Sequence, residues 1–330
     1  MYYLNQKIEN LVRIFDQNER KSYLRLDLNE NPGGLPEEFV NGVLGDVTPQ
    51  LIAQYPETLH FAQYLGTDIQ HLCLVNDSAE GIRYIIQAFT SENGKIVGVV
   101  PSYFIFQVYS EMYGRNFVKV PYNKDLTMSI ENIITQLTDD TQLLILLNPN
   151  NPMGNVYTDE EFKTIMQVCK EKQITVLIDE AYHYFYPKTF IQYALNERHV
   201  FVTRTFSKLF SMAGCRLGYV VGHPDDIKYV QKFCTPHNTN AFAMLFAERI
   251  LTTPGMVESL VRKFQEGRSY LISELDDRGY HHKGEAGNFL FIEPKTKAQT
   301  IVERMKNEKK ILIKAYENVG EFGDCLRVSI

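Results

Sequence analysis

Between Lys95 and Val221 the chain repeats one unit: a short, nearly unbroken apolar run followed by a polar-punctuated, mostly helical stretch. The runs are Lys95–Val100, Phe117–Val120, Leu143–Leu147, Thr175–Ile178, Val200–Thr203 and Gly218–Val221. Strands apolar on both faces need cover on both faces, and intervening helices supply it. The pattern predicts an α/β fold: a three-layer α/β/α large domain with a mainly parallel sheet. We place that domain at residues 46–236. The segment Pro236–Asn240 leads into a helix near Ala241–Leu251 and a second near Met256–Arg278, which Gly279 would end. Residues 237–330 are then expected to form a smaller α+β domain, with residues 1–45 as an N-terminal arm and part of it.

Composition excludes several function classes. With 330 residues and 44% hydrophobic content the chain can bury one large core and a smaller one. A net charge of −6 and a pI near 5.8 oppose non-specific nucleic-acid or anionic-membrane binding, which needs a basic face. Five cysteines, an odd number without paired spacing, read as reduced thiols of a cytoplasmic protein, and eight histidines form no ligand pattern, so no metal is expected. Met1–Arg20 lacks a long apolar core, which predicts neither signal peptide nor membrane span.

Polar groups gather where the runs end. Lys208 lies in Thr205-Phe206-Ser207-Lys208, with Arg216 eight residues on. An amine, two hydroxyls and a guanidinium are what a Schiff base to a phosphorylated aldehyde requires; the plainer reading is a solvated loop lysine. Asp179 closes the run Ile174–Ile178 at a strand's C-terminal end, where open α/β sheets bind ligands, although it could also cap the next turn. Asn148-Pro149-Asn150-Asn151-Pro152-Met153-Gly154 forces a rigid turn that holds the Asn151 amide. Leu74–Phe89 reads as a strand end followed by an amphipathic helix. The amides of Ser78 and Ala79 in its first turn suit a phosphate.

In this order and spacing, Asn-Pro-x-Gly, Asp-x-Ala-Tyr and Ser-Lys with its later arginine resemble the fold-type I pyridoxal-phosphate enzymes. Within them the chain most resembles class I/II aminotransferases of the histidinol-phosphate aminotransferase branch, from Leu26 to Arg327. The resemblance implies pyridoxal 5'-phosphate as cofactor. It makes Lys208 the Schiff-base lysine and proton shuttle, Asp179 the partner of the ring nitrogen, Asn151 and Tyr182 the donors to the ring's phenolic oxygen, and Tyr103 the stacking aromatic. Ser78, Ala79, Thr205, Ser207 and Arg216 would hold the phosphate. Arg327 would grip an anionic substrate group, and Lys314 lies where the branch often carries a second arginine. The segment Leu28–Gly34 would pass over the active site. Tyr55 would reach the neighbouring subunit's cofactor, so a homodimer is expected.

The chain also departs from that branch. Asp77 stands where glycine is usual; with Glu80 it has the spacing of a helix-capping pair, which would direct its carboxylate to backbone amides and away from a phosphate. Met153 replaces a common threonine, the aromatic-proline-glycine signature before Leu28 is not visible, and relatives usually run another helix or so past the strand of Arg327. The reading that follows is ping-pong transamination between an anionic, phosphorylated or dicarboxylic amino donor and a 2-oxo acid acceptor. The alternatives are a pyridoxal-phosphate decarboxylase or lyase acting on a phospho-amino acid, which shares every cofactor motif, and a non-catalytic descendant of the fold.

Overall fold

The computed structural model describes residues 4–9, 11, 20–284, 286–320 and 323–330. Among them the strands, in chain order, are β1 (Leu24–Arg25), β2 (Leu72–Val75), β3 (Lys95–Val100), β4 (Asn116–Pro121), β5 (Thr141–Leu147), β6 (Thr175–Asp179) and β7 (Val200–Thr205). They continue with β8 (Gly218–Gly222), β9 (His282–Lys283), β10 (Phe289–Ile292), β11 (Ile311–Leu312), β12 (Lys314–Tyr316) and β13 (Cys325–Ser329).

A seven-stranded sheet of order β2-β8-β7-β6-β5-β3-β4 forms the centre. Strands β4, β3, β5, β6 and β7 are parallel neighbours, as the alternation predicts. Strand β8 is antiparallel to both β7 and β2. The reason is local: Phe206–Leu217 holds turns and a single 3-10 turn, Ala213–Cys215, in place of a crossover helix, and so short a connection returns the chain antiparallel. Strand β2, four residues long, lies outside the six apolar runs, although its end is the strand end read from sequence at Leu74, and it closes the sheet's edge.

Pleating explains why the runs are continuously apolar. Leu144, Leu146, Val176, Ile178 and Val202 enter one core, while Leu143, Ile145, Leu147, Leu177 and Phe201 enter the other, on the opposite face. The helix Ser78–Phe89 covers the second face with Ile82, Ile85 and Ile86, spaced to share one side of a 3.6-residue period and fully buried.

A four-stranded antiparallel sheet, β12-β13-β10-β9, and the pair β1–β11 make up the rest of the sheet structure. The helix Met256–Asp277 joins the two parts: Leu260 packs in the first core of the large sheet, whereas Leu271, Ile272 and Leu275 pack under the small one. Parallel pairing of Leu24 with Ile311 ties the N-terminal segment to β11, and a 2.9 Å bond from Ser329 N to Leu26 O ties it to β13 of the small sheet.

Candidate active site

Because β2 runs in the same sense as β7, the C-terminal ends of β2, β3, β5, β6 and β7 share one rim with the start of β8. Every cofactor residue expected from sequence except Tyr55 lies on that rim or one turn past it. Register fixes the neighbours: Leu147 pairs with Asp179, Asp179 with Thr203, and Gly218 with both Thr205 and Val75. Strand order reverses at β3, so the rim opens beside Tyr103 and the Asn148–Gly154 turn, where open α/β sheets bind ligands.

Asp179 is buried, and its Oδ1 accepts from Thr203 Oγ1 at 3.1 Å and from Ala181 N at 3.2 Å. It therefore caps the following turn as well as facing the site. Burial outweighs these bonds and pushes its carboxyl up to about 7. Lys208 Nζ donates to Leu28 O at 3.0 Å and lies 5.8 Å from the Tyr182 ring centre. Burial drives its ammonium down to about 8, opposed first by the Asp77 carboxylate and reinforced by Arg327. Near neutral pH this amine is thus unusually easy to deprotonate.

Tyr182 is buried with its hydroxyl accepting from Asn29 Nδ2 at 2.9 Å, which leaves its own O–H to donate into the site. Asn151 has its Oδ1 taken by Arg327 Nη1 at 2.6 Å, so its Nδ2–H is what it can offer a ring oxygen. Tyr103 is half-buried, in edge contact with Phe104 and Phe106 at 5.4 and 5.7 Å. Burial pushes its phenol up.

The phosphate end differs from expectation. The donors converge, but Asp77 sits among them. Its Oδ1 accepts from Ser78 N at 2.7 Å, while its Oδ2 accepts from Ser207 Oγ at 3.0 Å and pairs with an Arg216 Nη2. The expectation that a capping pair directs Asp77 away is therefore corrected: Glu80 bonds Asn76 N at 2.8 Å, one position early, which leaves Asp77 to cap Ser78 alone and turn its other oxygen inward. Thr205 Oγ1 accepts from Ser207 N at 2.9 Å. A Cβ on Gly218 would lie 2.5 Å from Ser78 N and 2.7 Å from Asp77 C, so only glycine lets β8 approach this cup. Lysine, buried carboxylate and anion cup together fit pyridoxal phosphate in chemistry, with Asp77 drawn onto the donors of the phosphate end.

Arg327, on β13, is buried. Besides Asn151, it donates from Nη1 to Tyr316 Oη at 3.2 Å and from Nη2 to Asp27 O, and its Nε has no partner among the described residues. Lys314 is its cross-strand partner on β12 and lies 5.4 Å from the Tyr316 ring centre; burial first and Arg327 second lower its pKa. Tyr55 stands apart, 77% exposed and stacked on His237 at 4.6 Å.

Sequence reasoning passed over Asn29, Tyr316 and Thr203 as site groups. Asn29 is buried, at φ 56°, with its N–H on Ser329 Oγ at 3.0 Å and its carbonyl on Asn288 Nδ2 at 3.0 Å. Only its place in Leu28–Gly34 pointed to it. Among the described residues no group of His, Cys, Asp and Glu could hold a metal, and no helix is long and apolar enough to cross a membrane.

The same architecture occurs in aspartate-aminotransferase-like, fold-type I proteins. A histidinol-phosphate aminotransferase from Sinorhizobium meliloti, solved in complex with pyridoxal-5'-phosphate, superposes with a TM-score of 0.87 at 21% identity, covering 100% of this chain and 93% of that one. Residues 48–330 match the family "Aminotransferase class I and II". The chain belongs to that family and is a pyridoxal-phosphate-dependent transaminase. A histidinol-phosphate aminotransferase of Thermoanaerobacter sp. (strain X514) is 30% identical over 98% of this chain and 95% of its own length. Another, from Caldanaerobacter subterraneus subsp. tengcongensis, is 28% identical over 93% and 88%.

Proposed function

We propose that this chain moves an amino group between an anionic amino substrate and a 2-oxo acid, with histidinol phosphate as the first donor to test. The observation that carries the anion is the pair of cross-strand cations Arg327 and Lys314, the first of them bonded to Asn151. A planar guanidinium suits a carboxylate or phosphate, and an adjacent ammonium adds charge. The relatives named above bear the name of that phosphorylated donor.

In this reading pyridoxal phosphate supplies an electron-withdrawing ring that acidifies the substrate's Cα–H. Asp179 keeps the proton on the ring nitrogen. Tyr182 and Asn151 donate to the phenolic oxygen through the O–H and N–H that their partners leave free. Lys208, with its depressed pKa, would take the proton from the substrate's Cα and return it at C4′ of the cofactor. Ser78 N, Ala79 N, Thr205, Ser207 and Arg216 hold the phosphate, and Tyr103 bounds the ring. Residues 46–236 act as the cofactor-holding domain, and 1–45 with 237–330 as the smaller one. Exposed Tyr55 is assigned to the site of a second copy in a cytoplasmic homodimer, which sedimentation of the wild type and of Tyr55→Ala, with cofactor titration, would test.

The experiment for the reaction is titration of the holoenzyme with glutamate, histidinol phosphate and phosphoserine, following the cofactor absorbance and the products. Conversion of cofactor to its amine form with release of an oxo or aldehyde product is expected for at least one donor. Carbon dioxide release without an oxo product would assign the lyase reading in its place.

A further inference from the structure

We propose that Asp77 is a built-in competitor for the cofactor's phosphate, and that it weakens this chain's preference for the phosphorylated over the unphosphorylated form of the cofactor. The inference rests on reading this rim as a pyridoxal-phosphate site. Its starting point is that the carboxylate engages Ser78 N–H, the Ser207 hydroxyl and the Arg216 guanidinium, three of the donors that a phosphate needs there. Carboxylate and phosphate are both oxyanions that take N–H and O–H donors, so one can stand in for the other, and both cannot share them without like-charge repulsion.

The backbone shows that this placement is imposed. Asp77 has φ 73° and ψ 158°, a conformation essentially reserved for glycine. A side chain there is strained whatever the space around it, and the three contacts are what keep it in place. The loop has little room to retreat, because Gly218 of β8 packs against the backbone of Asp77 and Ser78. An incoming phosphate must therefore displace the side chain, and it does so against Arg216, the single described cation paired with that carboxylate. The charge of Asp77 is also the chief group opposing loss of a proton from Lys208.

Two consequences separate this role from that of a helix cap. Removing the negative charge frees the cup, so phosphate-bearing ligands gain and ligands without phosphate do not. Conversely, the cup without Asp77 should take inorganic phosphate, which in the wild type meets a filled site.

The test is the ratio of dissociation constants for pyridoxal and pyridoxal 5'-phosphate, measured by absorbance of the lysine-bound chromophore on the full chain. Asp77→Asn and Asp77→Gly are compared with wild type; the asparagine keeps the shape and most of the capping capacity, and the glycine relieves the backbone. The expected result is a ratio widened about tenfold or more in both variants, through tighter pyridoxal phosphate. Inorganic phosphate should also raise their melting temperature at concentrations that leave wild type unmoved. A ratio within about twofold of wild type in the two variants would overturn the role of Asp77 while leaving the cofactor assignment standing. Equal tightening of both ligands would reduce Asp77 to a structural cap. Failure of wild type and variants alike to bind either ligand would overturn the cofactor reading, and this inference with it.

Discussion

Arg327 Nη1 donates to Asn151 Oδ1 at 2.6 Å across 176 positions of sequence. One residue belongs to β13 of the small sheet and the other to the turn after β5 of the large one, so this bond joins the proposed substrate cation to a proposed cofactor ligand. Such a bond holds the two groups in register before either ligand arrives, which lowers the entropic cost of productive binding.

Replacing Arg327 by lysine keeps a charge and loses the fork. We expect kcat/KM for the anionic donor to fall about 10- to 100-fold, mostly through KM, with cofactor affinity little changed. Steady-state kinetics beside a cofactor titration check this. A parallel loss of cofactor affinity would mean that the arginine chiefly supports the Asn151 turn.

Lys208→Ala should abolish both the lysine-bound cofactor absorbance and turnover. In the cofactor-free protein its effect on stability has a defined sign. The wild-type lysine titrates at about 8 when folded and in the ordinary range above 10 when unfolded, so it destabilises the fold below pH 8 and ceases to do so as pH rises to about 10.5. The alanine variant is expected to lose that rise, read from melting temperatures of the two proteins between pH 8 and 10.5.

Asp179 titrates the other way. Raised to about 7 by burial, it binds a proton in the folded state that the unfolded chain has released above about pH 4. Cofactor-free stability from this group is therefore complete below pH 4 and declines as pH rises to 7, with a slope approaching ~1.4 kcal/mol per pH unit. Asp179→Asn should flatten the curve in that window. The variant is also expected to retain cofactor but to lose most activity, since the ring nitrogen loses its charged partner; an unchanged rate would move the electron-sink role elsewhere.

Arg204→Ala tests how the rim is held. Arg204 donates to the buried Glu180 carboxylate from Nε at 3.0 Å and Nη2 at 2.7 Å, and the same carboxylate accepts from Phe190 N at 2.7 Å. Removing the cation strands a buried charge beside Asp179, which costs about 3–5 kcal/mol. Denaturant unfolding of the cofactor-free chain would show it; a change under ~1 kcal/mol would mean that Glu180 finds water or protonates cheaply.

Legibility followed the range of the interactions. The strand runs β3 to β8 were readable because a strand buried on both faces has an unbroken apolar sequence, and Lys208, Asp179 and Asn151 because each follows such a run within a few positions. The position of Asn29 was not, since it acquires its role from Tyr182, Ser329 and Asn288, all far along the chain. Asp77 shows the limit best. Its sequence spacing to Glu80 predicts a cap, and the cap forms in part, but the direction of the second oxygen depends on Arg216 and Ser207, delivered by the distant connection between β7 and β8.

The sequence by itself determined the layered α/β architecture, the parallel heart of the sheet and the identity of the chemical groups at its rim, because these depend on periodicity and on neighbours in the chain. Only the tertiary structure decided that β8 reverses, that Arg327 meets Asn151, and that Asp77 lies against the donors proposed for the phosphate. Such contacts join residues far apart in sequence, and their strength depends on burial that exists only once both sheets have formed.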